Sequence, residues 1–69
     1  MEKIKINTEN IKLDQFIKWA GAAESGAFAK LMVENGDVKV NGQVCLQRGK
    51  KLKQGDTVEV ENIGSFEII

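Results

Sequence analysis

The segment Val38-Lys39-Val40-Asn41-Gly42-Gln43-Val44 constrains the fold more than any other part of this chain. Valine alternating with a polar residue is typical of a strand that has one buried face. Asn-Gly is the strongest short signal for a two-residue hairpin turn, because both central residues of a type I′ turn need positive φ angles. A hairpin at this point commits the second half of the chain to antiparallel β-structure.

The first half predicts two short helices. One follows from apolar residues with the i, i+3, i+4, i+7 spacing of a half-buried helix, at Leu13, Phe16, Ile17 and Ala20. Gly21 is placed to end that helix. Trp19 lies about 110° from the centre of the apolar stripe, since successive helical residues are about 100° apart. It either covers the rim of the core or offers a platform to an unstacked nucleic-acid base.

The second helix is predicted from about Gly26 to Asn35. Ser25 is a typical N-cap, and Gly36 is suited to the left-handed residue that follows the helix. We expect its inward side to carry Phe28, Leu31 and Met32. Its polar line is then Gly26, Lys30 and Glu34.

Further strands are predicted at Lys3–Ile6, Val44–Leu46, Thr57–Glu61 and Ser65–Ile69, with a turn at Gln54-Gly55-Asp56. Leu52 is expected to anchor the segment between the hairpin and this turn in the core. The whole pattern predicts an α+β fold in which two short helices pack on a small, mainly antiparallel β-sheet. We expect one domain over residues 1–69.

The composition excludes several classes of site. A single cysteine, Cys45, allows no internal disulfide, and the absence of histidine makes a zinc site improbable. Cys45 is expected to be a small buried hydrophobe. No nucleophile has an evident general base beside it, so we expect no enzyme, no metal and no cofactor. Without a signal peptide or an apolar run long enough to span a membrane, a cytoplasmic location is expected. Nothing in the pattern demands a dimer, so a monomer is expected.

Charge is distributed unevenly along a chain whose formal net charge is zero. No acidic residue occurs between Asp37 and Asp56, and this stretch contains the cations Lys39, Arg48, Lys50, Lys51 and Lys53. The charged residues from Asp56 onward are all acidic. Such segregation favours a polyanion as the partner of one face, whereas the alternative is that both runs are ordinary solvated surface.

Two features in the stretch from Ser25 to Lys53 suit phosphate groups. The N-terminus of the second helix offers free N–H groups behind Ser25, a close approach at Gly26, and the charge of Lys30 one turn later. The loop 47–53 adds Arg48, which can make forked contacts, and lysines that act as point charges. Alone, the first feature is also explained as an ordinary helix cap and the second as an ordinary solvated loop. Together with Lys39, they favour binding to the phosphates of RNA or DNA.

The residues in order resemble a known family. Leu13-Asp14-x-Phe16, Ser25-x-x-x-Ala29-Lys30, Gly36-x-Val38-x-Val40-Asn41-Gly42 and Gly55-Asp56-x-Val58 are similar to the RNA-binding domain first described in ribosomal small-subunit protein four, the alpha-L RNA-binding motif. The resemblance covers about residues 11–60. It implies a non-catalytic domain that grips structured RNA, above all ribosomal RNA, by shape and phosphate contacts.

The same resemblance implies which positions bind. Carried over to this chain they are Ser25, Lys30, Lys39, Asn41 and the basic loop with Arg48, Lys50, Lys51 and Lys53. The family usually has arginine or lysine directly after the capping serine, where this chain has Gly26, and this departure weakens the expected grip on one phosphate. Small stand-alone bacterial members, the YbcJ/YaaA-like group, are similar to this chain here.

Two other functions stay open from the sequence. A β-grasp sulfur carrier also shows an Asn-Gly hairpin and a late Gly-Asp-x-Val-Glu stretch, but it acts through a C-terminal Gly-Gly, and this chain ends Phe66-Glu67-Ile68-Ile69. The other is a protein-interaction module that uses the acidic C-terminal part. A ribosomal or other protein partner is compatible with RNA binding.

Overall fold

The predicted hairpin is present and forms one edge of the larger of two sheets in a computed structural model that describes residues 1–69. β3 (Val38–Val40) and β4 (Gln43–Val44) pair antiparallel, and Val40 lies opposite Gln43. Asn41 and Gly42 between them have φ angles of 51° and 86°. Both signs match the type I′ turn that the Asn-Gly sequence predicts.

The two helices lie ahead of this hairpin. α1 spans Leu13–Trp19 and is followed by Ala20 as its C-cap and by Gly21 with φ of 81°. α2 spans Gly26–Glu34, and Gly36 after it also has φ of 81°. Left-handed glycines end helices because they lack a Cβ that would clash in this conformation. Both predicted helix ends are therefore confirmed.

The five-stranded sheet has the order β1-β7-β6-β3-β4. Its remaining strands are β1 (Glu2–Ile4), β6 (Thr57–Val60) and β7 (Gly64–Ile68). Only β1 and β7 run parallel, and the other pairs in this sheet are antiparallel. A two-stranded antiparallel sheet joins β2 (Ile11–Lys12), directly before α1, to β5 (Lys51–Leu52). The α+β prediction, with a mainly antiparallel sheet, is confirmed.

One hydrophobic core joins both sheets and both helices. Its fully buried members include Leu13, Phe16 and Ile17 of α1, Leu52 of β5, and Val38 and Val58 of the large sheet. Phe16 and Phe66 meet edge to face, with ring centroids 6.3 Å apart. The predicted stripe of α1 and the anchoring role of Leu52 are therefore confirmed. The outer face of the large sheet, away from the helices, carries the polar residues that alternate with these.

The prediction for the inward side of α2 was wrong. Ala29 and Val33 are fully buried, whereas Phe28 and Leu31 are 51% and 56% exposed, and Met32 is half-buried. Apolar residues occupy six of the nine positions of this helix and surround all of it except the line of Gly26, Lys30 and Glu34, so their spacing does not select which part of that wide apolar side is buried. Contact with α1 and the sheet selects the face with small or branched side chains.

The return strand after the hairpin is shorter than predicted. β4 ends at Val44, Cys45 is half-buried rather than buried, and Leu46 is exposed. The chain leaves the sheet here because the next segment pairs with the start of α1: the N–H of Asp14 donates to the carbonyl of Arg48 over 3.0 Å. This departure carries the basic loop from the sheet edge to the helices.

Candidate nucleic-acid interface

The small sheet brings two lysines together that are far apart in the sequence. Lys12 in β2 lies directly opposite Lys51 in β5, and both side chains are exposed. Directly opposite residues point to the same face, and their neighbours Ile11 and Leu52 turn toward the core. Like charges in this arrangement repel, so the pair suits a surface on which an anion sits between or above the two ammonium groups.

Arg48 is held beside this pair through the first turn of α1. The Asp14 side chain is 9% exposed. Its Oδ1 accepts the N–H of Gln15 over 2.8 Å, and its Oδ2 lies 3.6 Å from Nη1 of Arg48. The carbonyl of Lys50 also accepts the N–H of Leu13 over 2.9 Å. These contacts fix the loop backbone, while 55% of the Arg48 side chain stays exposed.

The N-terminus of α2 opens next to the same region. The Oγ of Ser25 accepts the N–H of Phe28 over 3.1 Å, which confirms the predicted cap. The first N–H groups of a helix have no partner within it, so those of Gly26 and Ala27 point outward. A Cβ built on Gly26 would lie 3.8 Å from Nε2 of Gln15, an ordinary contact, so packing does not demand glycine at this position.

Gln15 connects these parts into one surface. It borders the N-terminus of α2 at Gly26, and it lines a depression together with Lys12, Asp14, Arg48 and Gly49. We define the basic surface as Lys12, Gln15, Arg48 and Lys51, which are exposed, together with the half-buried Gly26. Asp14 is the one acid that lines this depression, and its carboxylate is already engaged with Arg48 and with the backbone. The arrangement can bind an extended anion through two point charges, a guanidinium and helix N–H groups.

Asn41 and Asp56 form a separate cluster that fastens the hairpin to β6. Nδ2 of Asn41 donates to Oδ1 of Asp56 over 3.1 Å, and Oδ1 of Asn41 accepts the N–H of Thr57 over 3.0 Å. Oδ2 of Asp56 accepts the N–H of Lys53 over 2.9 Å. The Asn41 side chain, predicted to bind RNA, is thus largely engaged in holding the fold.

The pKa of Asp56 reports the charges around this cluster. Partial burial alone would raise the pKa of Asp56, but the N–H of Lys53, the amide of Asn41, and the charges of Lys53 and Lys50 together lower it below its ordinary value. The positive charges of Lys50 and Lys53 are therefore partly offset by the negative charge of Asp56. Of the four cations predicted in the loop, the structure brings Arg48 and Lys51 to the basic surface, and Lys50 lines a different depression beside the hairpin.

Lys39 and Lys30, the remaining two predicted lysines, are not part of the basic surface. Lys39 is on the outer face of the large sheet, directly opposite Glu59 of β6, in a depression with Asp37, Glu59 and Glu61. Because Val38 and Val40 on either side of it are in the core, its side chain points away from the helices. Lys30 is exposed on α2, one turn after Gly26. The structure thus separates Lys39 from the basic surface.

Two residues of the basic surface were missed by the sequence reasoning. Lys12 precedes α1 and Gln15 lies in its first turn, and nothing in their local pattern distinguishes them from solvated helix residues. Only the pairing of β2 with β5 brings Lys12 to Lys51, and only the packing of α1 on α2 brings Gln15 to Gly26.

Neither α1 nor α2 could span a membrane, because neither has the length and the apolar character that a span needs.

The S4 domain family matches residues 4–69, nearly the whole chain. A curated relative from Bacillus subtilis (strain 168), named "Probable ribosome maturation protein RlbA", is 44% identical over 66 residues. The aligned region covers 96% of this chain and 93% of that protein.

Proposed function

This chain belongs to the S4 domain family, and we propose that it is a non-catalytic protein that binds structured RNA, above all ribosomal RNA. The family membership supports RNA binding and confirms the resemblance found in the sequence. The name of the Bacillus subtilis relative adds a role in ribosome maturation, which we extend to this chain at 44% identity. We therefore also propose a cytoplasmic location.

The observation that carries the proposal is the like-charged Lys12–Lys51 pair beside Arg48. Two exposed ammonium groups directly opposite each other in a ladder destabilise the free protein slightly, and an RNA phosphate between them would remove that repulsion. Arg48 would add forked contacts to a neighbouring phosphate. The open N–H groups of Gly26 and Ala27 would donate hydrogen bonds to a further phosphate oxygen.

The other predicted residues take lesser parts in this proposal. Ser25 orders the N-terminus of α2 and keeps a hydroxyl hydrogen to donate, and Lys30 is placed to add charge one turn further along. Lys50 and Lys53 contribute to the general positive field, part of which Asp56 offsets. Asn41 holds the hairpin, and we leave Lys39 out because it faces Glu59.

A charge-matched comparison tests the proposal. The double variant Lys12→Gln/Lys51→Gln removes two charges from the basic surface, and Lys3→Gln/Lys39→Gln removes two from the outer face of the sheet, where the lysines lie opposite Glu67 and Glu59. Binding to total ribosomal RNA is titrated with salt, with duplex DNA as competitor. The first variant is expected to lower the slope of log affinity against log salt by up to about two, and the second to leave it nearly unchanged.

Equal losses in the two double variants would mean that net charge alone attracts RNA and would remove the basic surface as the site. Absence of salt-sensitive binding to ribosomal RNA by the unaltered protein would refute the function itself. Binding that duplex DNA displaces as readily as ribosomal RNA would indicate a general polyanion binder. Family membership also favours RNA binding over the β-grasp sulfur-carrier alternative.

A protein partner is a second candidate, and the exposed side of α2 favours it. Phe28 and Leu31, one helical turn apart, are each about half exposed. Paired exposed apolar residues on a helix are typical of contact surfaces when they form a contiguous patch. If Phe28→Ser/Leu31→Ser weakens binding to purified ribosomal subunits but not to naked ribosomal RNA, α2 contacts a ribosomal protein. Equal effects on both ligands would exclude this reading.

A further inference from the structure

Trp19 is tied to the chain by a side-chain hydrogen bond although it is largely exposed. It is the last residue of α1, and its indole Nε1–H donates to the carbonyl of Lys5 over 3.0 Å. This bond satisfies the only polar group of the side chain and restricts rotation of the ring. With 57% of the residue still exposed, the indole offers apolar surface to solvent without needing a further hydrogen bond.

Two depressions border this indole. Ile6, Asn7, Thr8 and Ile11 line one with Trp19, and Ile11, Gln15 and Lys18 line the other. No acidic residue lines either depression, and Lys18 stands at the rim of the second. The surroundings of Trp19 therefore suit a flat, partly apolar group that is attached to negative charge.

The second depression continues into the basic surface. Gln15 lines it together with Trp19 and Lys18, and the same Gln15 lines the depression that holds Lys12 and Arg48. Only Gln15 therefore separates the Trp19 ring from a nucleic-acid backbone bound at Lys12 and Arg48. Aromatic side chains beside a cationic track are the arrangement with which proteins bind unpaired bases.

We propose that Trp19 is a stacking platform for an unpaired RNA base, so that the bound RNA has an unstacked nucleotide next to the phosphates held by Lys12 and Arg48. This inference rests on the proposed RNA binding and narrows its substrate class from any structured RNA to RNA with a bulge, loop or single-stranded junction. Lys18 neutralises the phosphate that accompanies the base. The hydrogen bond to Lys5 keeps the ring in place before RNA arrives.

The chain allows a direct test because Trp19 is its only tryptophan and it contains no tyrosine. Its fluorescence therefore reports on Trp19 alone. We would add short fragments of hydrolysed ribosomal RNA to the unaltered protein, and inorganic polyphosphate in a parallel titration, while measuring binding separately by filter retention. Stacking predicts that the RNA fragments quench the emission and that polyphosphate, which has no bases, leaves it nearly unchanged.

Variants of Trp19 distinguish base stacking from a role in which the side chain only shields the hydrophobic core. Trp19→Phe keeps an aromatic face, and Trp19→Leu keeps only apolar bulk. We expect Trp19→Leu to bind the RNA fragments about tenfold more weakly, the loss typical of one stacked base, and Trp19→Phe to lose clearly less. Ile63→Ala, which truncates a similarly exposed apolar residue in the turn between β6 and β7, is the control and should bind as the unaltered protein does.

The outcomes distinguish this inference from the proposed function. RNA binding with unchanged emission, or with equal affinity for the Phe and Leu variants, would overturn stacking at Trp19 and leave RNA binding in place. Equal quenching by polyphosphate would show that the emission follows phosphate binding, which also overturns stacking. Absence of RNA binding would refute both. Should Trp19→Leu fail to fold, the titrations of the unaltered protein still decide.

Discussion

Replacing Lys51 with glutamate should move stability and RNA binding in opposite directions. Lys51 lies directly opposite Lys12 in the two-stranded sheet, so Lys51→Glu exchanges a repulsive cross-strand pair for an attractive one. Cross-strand charge pairs contribute roughly 0.2–1 kcal/mol, and exposed pairs fall near the lower end of that range. We expect the free energy of unfolding to rise by about 0.5 kcal/mol, which raises Tm by about 2–4 °C in a domain of this size.

The same change should weaken RNA binding strongly. Each neutralised phosphate contributes about 0.9 to the slope of log affinity against log salt, which corresponds to about eightfold in affinity near 0.1 M salt. Glutamate at this position removes the contact of Lys51 and occupies Lys12, so two contacts are lost. Affinity for ribosomal RNA should then fall by about 60-fold near 0.1 M salt, and the curves should converge toward 1 M.

Thermal unfolding and filter retention over the same salt range measure both effects. Lys51→Gln is the matched control, because it removes the repulsion without creating an attraction: its stability gain should be smaller and its affinity loss about eightfold. The gain in stability should also shrink in high salt, where the screening length falls to about 3 Å. A Lys51→Glu variant that is less stable, or that binds RNA as the unaltered protein does, would refute the argued geometry.

Three further outcomes follow from the fold. Leu52→Ala should cost about 2–5 kcal/mol in urea unfolding, because Leu52 is fully buried and holds β5 in the core; a cost below 1 kcal/mol would contradict its role as anchor. Asp14→Ala should cost about 1 kcal/mol, since it removes a first-turn carboxylate and the partner of Arg48, and Arg48→Gln should cost less. The pKa of Asp56 is lower in the folded protein than its ordinary value of 3.8, so its contribution is fully present above that pH and is lost as pH falls through the folded value. Asp56→Asn should therefore be less stable at neutral pH and should lose less stability on acidification below about pH 4, and parallel pH curves for the two proteins would exclude this contribution.

The local features of the fold were predictable because they depend on neighbouring residues. The turn at Asn41-Gly42 needs only two residues that tolerate positive φ, and the cap at Ser25 needs only a hydroxyl three residues before an N–H. The buried stripe of α1 followed from spacing, since its polar and apolar residues alternate at the helical period. α2 did not follow, because Phe28 and Leu31 compete with Ala29 and Val33 for the buried face.

By itself, the sequence determined the α+β architecture, the helix ends, the hairpin, and the resemblance that the family match confirms. The tertiary structure alone decided which charges act together: Lys12 meets Lys51 across β2 and β5, Arg48 is held at Asp14, and Lys39 faces Glu59 instead. The physical reason is the distance along the chain over which each kind of interaction acts. Caps and turns are satisfied by hydrogen bonds and backbone angles within a few residues, whereas the potential at a surface depends on pairings between segments that the chain brings together only when it buries its core.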